Sequence, residues 1–181
     1  MKIINEELRA EFSPVFDVVT REIKLSNFPD TITRHVVVHD PVVSILVYDP
    51  KSKLFSLGYE YRSGVNQYRL SNSAGFIDEG ETPRDAAARE LSEELGVSSD
   101  KELEFISILS SSEGFTNEEV FMYYAEGPFT FTDTDFDSDE YVELTNLTED
   151  EFRTKIHDSI IRSAPTVASF YWWMANKKLL L

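Results

Sequence analysis

Between Gly75 and Val97 the chain reads GFIDEGETPRDAAARELSEELGV, and the acids of this segment fall where a helix would crowd them together. Thr82 is suited to cap a helix, Pro83 to open it, and Asp85 sits where a capping-box acid belongs. Asp85 to Leu95 is rich in strong helix formers, and Gly96 is a natural stop. The spacing therefore predicts a helix over 83–95. On that helix Glu90 and Glu94 are four apart, which puts their carboxylates about 6 Å apart on one face, with Glu93 flanking it. Three like charges repel, and acids near a helix C-terminus are disfavoured by its dipole. A hard divalent cation that takes oxygen ligands, Mg2+ or Mn2+, is the natural partner for such a cluster. Ala86, Ala87, Leu91 and Leu95 are left to face the core. A solvated acidic surface helix is the competing reading of the glutamates alone. Gly75, Glu81 and Arg89, at fixed distances from them, weigh against it.

The full pattern is G-x5-E-x7-R-E-U-x-E-E-x-G-U with U apolar, and every position from Gly75 to Val97 meets it. By this motif the chain resembles the Nudix hydrolases. The resemblance implies a hydrolase that cleaves a diphosphate joined to another group, using divalent metal ions. It implies an α/β fold, the Nudix α/β/α sandwich with a mixed sheet. It assigns the metal to Glu90, Glu93, Glu94 and the backbone carbonyl of Ala74, with Glu93 and Glu94 also catalytic. Glu81 and Arg89 are implied to be structural, a pair that holds the loop against the helix.

Beyond the motif, the chain resembles the ADP-ribose pyrophosphatase branch of that family over nearly its whole length. The points of contact are an N-terminal strand pair, Glu60-Tyr61-Arg62, Ala74-Gly75, the run Ser112 to Glu118, the acidic run Asp137-Ser138-Asp139-Glu140, and a final helix region beginning Asp158-Ser159. That branch takes its general base from a loop outside the motif, which makes Glu140 the candidate, with Asp139, Glu118 and Glu119 as rivals. A carboxylate beside bound metal can position and deprotonate a water. Arg62, at a strand end, could bind a phosphate by charge-assisted bonds. Gly75, Gly114, Phe115 and Glu118 are the other candidate substrate contacts. In this branch the N-terminal strands exchange between subunits and help build the adenine pocket, so a homodimer is expected. Phe16, Arg21 and Phe28 are possible contacts there, though core or surface roles fit them as well. His35, His39 and His157 have no ligand spacing and read as structural.

The chain also departs from the branch. Related enzymes carry L-E-x-P-A-G ahead of the motif, whereas here the residues are Leu70-Ser71-Asn72-Ser73-Ala74-Gly75. The expected substrate is ADP-ribose or a related nucleoside diphosphate sugar, giving AMP and ribose 5-phosphate. The missing acid and proline leave GDP-sugars, dinucleoside polyphosphates or a damaged nucleotide as alternatives. A non-catalytic nucleotide-sugar sensor is a third reading, opposed by the intact set of glutamates.

Composition limits the partners. The chain has 33 acidic against 17 basic residues, a net charge of −16, which argues against a broad basic face for nucleic acid or anionic membrane. It has no cysteine, so disulfide and thiolate chemistry are excluded. The opening MKIINEELRAEF is charged early, and no apolar run approaches membrane-spanning length, so a cytoplasmic protein is expected.

The elements that must position these residues follow from periodicity. Residues 15–26 alternate like a strand, 27–30 read as a turn, and 31–39 as a second strand. This gives an N-terminal strand pair over 1–40 ahead of a hydrolase domain over 41–181. The apolar run 42–48 reads as a buried strand, followed by a turn at 49–52 and a strand at 54–62. After the motif helix, strands are expected at 103–109, 120–126 and 141–144, and helices at 149–157 and 163–177, the last unusually aromatic.

Overall fold

The computed structural model describes residues 1–12, 15–99, 101–131 and 142–178. The chain forms two compact units, Met1–Pro41 with Ser110–Glu119, and Val42–Leu109 with Val120–Leu181.

The smaller unit is an antiparallel sheet of β1 (Lys2–Phe12), β2 (Phe16–Lys24) and β3 (Thr31–His39), in that order. The two strands anticipated from alternation are β2 and β3. β1 is an additional strand, and almost every residue of it is exposed. Asn5-Glu6-Glu7 breaks any apolar alternation there, so local pattern gives no signal. Pairing with β2 makes it a strand, and Glu6 lies opposite Arg21 and forms an ion pair with it. The segment around Phe115 runs along β3. The Val37 N–H donates to the Phe115 carbonyl at 2.8 Å, and the Asn117 side chain accepts from the His39 N–H at 2.8 Å.

The larger unit contains β4 (Val42–Asp49), β5 (Leu54–Arg62), a 3-10 turn at Ser63–Val65, β6 (Gln67–Ser71), β7 (Ser73–Phe76), α1 (Pro83–Leu95), β8 (Val97–Ser99), β9 (Glu104–Ser110), β10 (Glu119–Glu126), β11 (Phe129–Phe131), β12 (Val142–Leu147), α2 (Glu149–His157) and α3 (Ala164–Asn176). The main sheet is mixed. Its order is β12-β5-β4-β10-β9, with β6 added to β5 and β7 to β4. β4 and β10 are parallel, while β5, β6, β7 and β12 join antiparallel.

β4 shows why the fold is layered. Val43, Ile45 and Val47 pack in one cluster with Ala86, Ala87, Leu91 and Leu95 of α1. Leu46 and Tyr48 pack in a second cluster with Phe152 of α2 and Phe170 and Trp173 of α3. Both faces of the strand are covered, which explains its continuous apolar run. Each large side chain buried here contributes roughly 1.5–3 kcal/mol. The C-terminal aromatics belong to this second cluster, with Phe55 and Trp173 edge-to-face at 4.8 Å between ring centres.

The helix ends follow the sequence signals. Thr82 caps α1 by accepting from the Asp85 N–H, Pro83 opens it, and Gly96 closes it at φ 58°. Thr148 and Glu151 form a reciprocal capping box on α2. The β6–β7 passage has no such signal. β4 and β5 pair directly only from Val47/Ser56 to Asp49/Leu54, and then diverge. β6 follows β5 as far as Ser71, and β7 takes up β4 from Ser73. Asn72 sits at the switch between them.

Candidate active site

β7 lies against α1, and Gly75 is the reason it can. A β-carbon at that position would overlap the Glu90 carboxyl group. With only hydrogen there, the strand approaches the helix and brings the Ala74 backbone beside Glu94, whose Oε2 accepts from the Ala74 N–H at 3.2 Å. Glu90 and Glu94 are 8% and 9% exposed, an unusual depth for two acids on one helix face.

Arg89 ties the loop to the helix. Its guanidinium forks onto Glu81, with Nε to Oε1 at 3.2 Å and Nη2 to Oε2 at 3.0 Å. Nη2 also donates to the Phe76 carbonyl at 2.8 Å. Nη1 reaches Glu90 at 2.7 Å and Glu93 at 3.0 Å. Glu81 in turn accepts from the Asp78 N–H. Its hydrogen bond from Arg89 holds the Glu81 carboxyl below the usual carboxylate range, against the opposing effect of burial. The Arg89 guanidinium is held more firmly protonated, by Glu81 first and then by Glu90 and Glu93.

Glu94 behaves differently. Burial pushes its carboxyl up to about 8, with the charges of Glu90 and Glu60 acting in the same direction. The neighbouring Ser73 hydroxyl and the Ala74 N–H oppose the shift. Ser73 Oγ nonetheless closes no well-formed hydrogen bond and stays a buried orphan. Burial thus favours the neutral form of Glu94, while one cation, Arg89, serves Glu81, Glu90 and Glu93.

Among the described residues no three His, Asp or Glu side chains are gathered as a ready metal-ligand set. Arg89 explains this, because it draws Glu93 and Glu90 to itself while Glu94 turns toward β7. The donor chemistry still fits a hard divalent cation. Glu90 and Glu94 offer buried carboxylate oxygens, and a proton on Glu94 is what such a cation displaces.

The other sequence candidates divide between the units. Arg62 lies in the larger unit, paired with Glu60 at 2.8 Å and donating to Ser71 Oγ at 3.2 Å. Gly114, Phe115 and Glu118 lie in the smaller unit. Phe115 is 55% exposed, and a β-carbon at Gly114 would meet open space. Gly114 and Phe115 line a cavity of about 320 Å3 with Ile3, Arg21, Arg34 and Val36. Glu118 stands 3.7 Å from His39. Phe16 packs on Phe12, and Phe28 is exposed. His35 bonds Thr20, His39 the Asp40 carbonyl and His157 Asp158, so each has an ordinary structural partner. Glu140 and its rival Asp139 lie outside the described residues.

Sequence reasoning took Glu60 only as a point of family likeness and Ser71-Asn72-Ser73 only as a departure from the related lead-in; it missed that the Glu60 charge reaches Glu94 and that the polar run is buried. Three consecutive polar residues between Leu70 and Ala74, in a chain segment otherwise reading as core, were the available signal.

A family model described as the NUDIX domain matches residues 38–168. The "Methanol dehydrogenase activator" of Bacillus methanolicus is 28% identical over 159 residues, covering 87% of this chain and 84% of that protein. The "ADP-ribose pyrophosphatase" of Bacillus subtilis (strain 168) is 25% identical over 166 residues, covering 91% and 88%. A solved structure described as "Crystal structure of ADP compounds hydrolase" superposes with a TM-score of 0.77 at 23% identity, covering 97% of this chain and 95% of that one. At that identity the superposition speaks for the fold, an α/β sandwich with a mixed sheet and three helices.

Proposed function

Because the chain belongs to the NUDIX domain family and is a Nudix hydrolase, we propose that it cleaves the diphosphate of ADP-ribose or a related nucleoside diphosphate sugar, giving AMP and ribose 5-phosphate. The observation that carries this reading is the buried Glu90–Glu94 pair set against Gly75 and the Ala74 backbone. The likeness to the B. subtilis ADP-ribose pyrophosphatase supports the substrate class.

In this reading Glu90, Glu93, Glu94 and the Ala74 carbonyl would hold Mg2+ or Mn2+. Such an ion, when bound, neutralises diphosphate charge and makes a water more acidic. The Glu81–Arg89 fork fixes the loop, so the carboxylates need not reorganise during turnover. Arg62 is only partly satisfied by Glu60 and Ser71, which leaves donors for a phosphate oxygen. Glu140 takes the proton from the attacking water. Gly75, Gly114, Phe115 and Glu118 contact the substrate.

We further place residues 1–40 as a dimerisation and pocket extension of a cytoplasmic homodimer whose domain spans 41–181. Among the described residues no helix is long and apolar enough to cross a membrane. Light scattering of the intact chain tests the dimer, and a monomeric mass would remove it.

A second reading keeps the site and changes the substrate to a GDP-sugar or a dinucleoside polyphosphate. Ser71 and Ser73 favour it, since they replace the acid and proline of the related lead-in. The likeness to a methanol dehydrogenase activator favours a regulatory setting for the same chemistry. Product analysis on a panel of ADP-ribose, GDP-mannose, NADH and diadenosine polyphosphates, with and without Mg2+, decides among these. AMP and ribose 5-phosphate appearing fastest from ADP-ribose and only with metal is the expected result. Turnover confined to another substrate would replace the first reading with the second.

A further inference from the structure

The switch residue between β6 and β7 is tied to the far side of the sheet. Asn72 is 3% exposed, and its partners Thr166 and Ser169 on α3 are fully buried. The Asn72 N–H donates to Thr166 Oγ1 at 3.0 Å. Its side-chain amide donates to Ser169 Oγ at 3.0 Å and Ser44 Oγ at 3.2 Å. Ser169 spends its own proton on the Thr166 carbonyl at 3.1 Å, so toward Asn72 its oxygen can only accept. That fixes which end of the amide faces the helix. The carbonyl end of Asn72 is left without a partner.

This arrangement is expensive as core. An apolar side chain at 72 would fill space between sheet and helix with no orphaned oxygen. What the polar seam supplies is position. Side chains alternate along a strand. Asn72 points to α3, while Ser73 and Gly75 point to α1, where Gly75 meets Glu90. The residue fixed from behind is thus two positions from the Ala74 backbone that bonds Glu94.

We infer that Asn72, held by Thr166 and Ser169 of α3, is a positioning residue: it sets the Ser73–Gly75 backbone against α1, and with it the oxygens that take the divalent cation. This rests on the functional reading above. α3 then serves the site without touching it.

The test is calorimetric titration of Mn2+ into the intact wild-type chain and its variants. Thr166→Val removes the acceptor of the Asn72 N–H, and its Mn2+ affinity is expected to fall about tenfold, the size of effect seen for supporting residues around metal ligands. Thr166→Ser keeps the hydroxyl and restores the affinity. Phe152→Leu loosens the same core, where Phe152 stacks on Phe170, without touching the seam. It is expected to lower the melting temperature and leave the affinity unchanged. Should Thr166→Val not fold, Ser169→Ala deletes one acceptor and is expected to weaken binding about tenfold, the milder end of the same effect. Wild-type affinity in the seam variants, equal weakening in Phe152→Leu, or no rescue by Thr166→Ser would each overturn the inference alone. A wild-type chain that binds no Mn2+ would overturn the functional reading together with it.

Discussion

The stretch Leu70–Phe76 has two faces, and they settle their polar groups in opposite ways. Toward α1 it meets two buried acids, one of which burial pushes toward its neutral form. Toward α3 it meets only neutral groups, the hydroxyls of Thr166, Ser169 and Ser44, joined to Asn72 by hydrogen bonds. A neutral network can be completed by the chain itself. An acidic pair this deep is only partly answered by the chain's own Arg89, and that asymmetry points to the face where a ligand binds. Arg89 marks the limit of self-compensation. Its guanidinium serves Glu81, Glu90 and Glu93, while Glu94 turns to the Ala74 N–H.

Replacing the buried acid that Arg89 does not serve should have the largest effect. Glu94→Gln is expected to lower kcat by about 10^2- to 10^3-fold, equivalent to about 3–4 kcal/mol of barrier. Its melting temperature without metal should match or exceed wild type, since a buried ionisable group is gone. Near-normal turnover would end the assignment. Next comes Gly75→Ala, which displaces the buried Glu90 carboxyl group from its place against β7. A stability loss of about 1–3 kcal/mol is expected by denaturant unfolding, together with weakened metal binding.

Arg89→Met breaks the fork onto Glu81 and should cost about 1–2 kcal/mol, the lower part of the range for bonds to charged groups because the site is partly exposed. It also carries a pH signature. The folded-state value of Glu81 lies below its ordinary one, so its contribution is fully present above the ordinary carboxylate range. That contribution is lost as pH falls through the depressed value. Wild-type stability should therefore decline on the acid side, and the Arg89→Met profile should be flatter there; parallel profiles would show the fork to be unimportant. Thr148→Ala probes the remote layer. It removes one half of the α2 capping box and should cost about 1 kcal/mol without altering kcat. A change in kcat would mean that the two layers are coupled through more than the Asn72 seam.

Where the sequence was informative, the controlling interactions are short-range. The limits 83–95 of α1 follow from Thr82, Pro83 and Gly96, all within a turn of the ends they define. The 149–157 helix follows likewise from Thr148 and Glu151. β4 was legible because both its faces are apolar. β1 was not, since its strand state comes from a partner beyond the next turn and its own residues face solvent. The same holds at the site. Glu81, Arg89 and the glutamates share one loop and helix, and their spacing carries the information. Asn72 meets Thr166 and Ser169 across 94 and 97 positions, and no local pattern encodes that meeting.

That separation also has a consequence for synthesis. A nascent chain that has emerged through Phe131 already contains every motif residue from Gly75 to Val97, yet the backbone beside Glu94 is held from one side only. The 94 positions from Asn72 to Thr166 take roughly 5–20 s to translate at ordinary ribosomal rates. If Asn72 positions that backbone as inferred above, the acids are complete for most of that interval before they are aligned, and metal capture would be a late event in biogenesis, timed by the arrival of a helix remote from the ion.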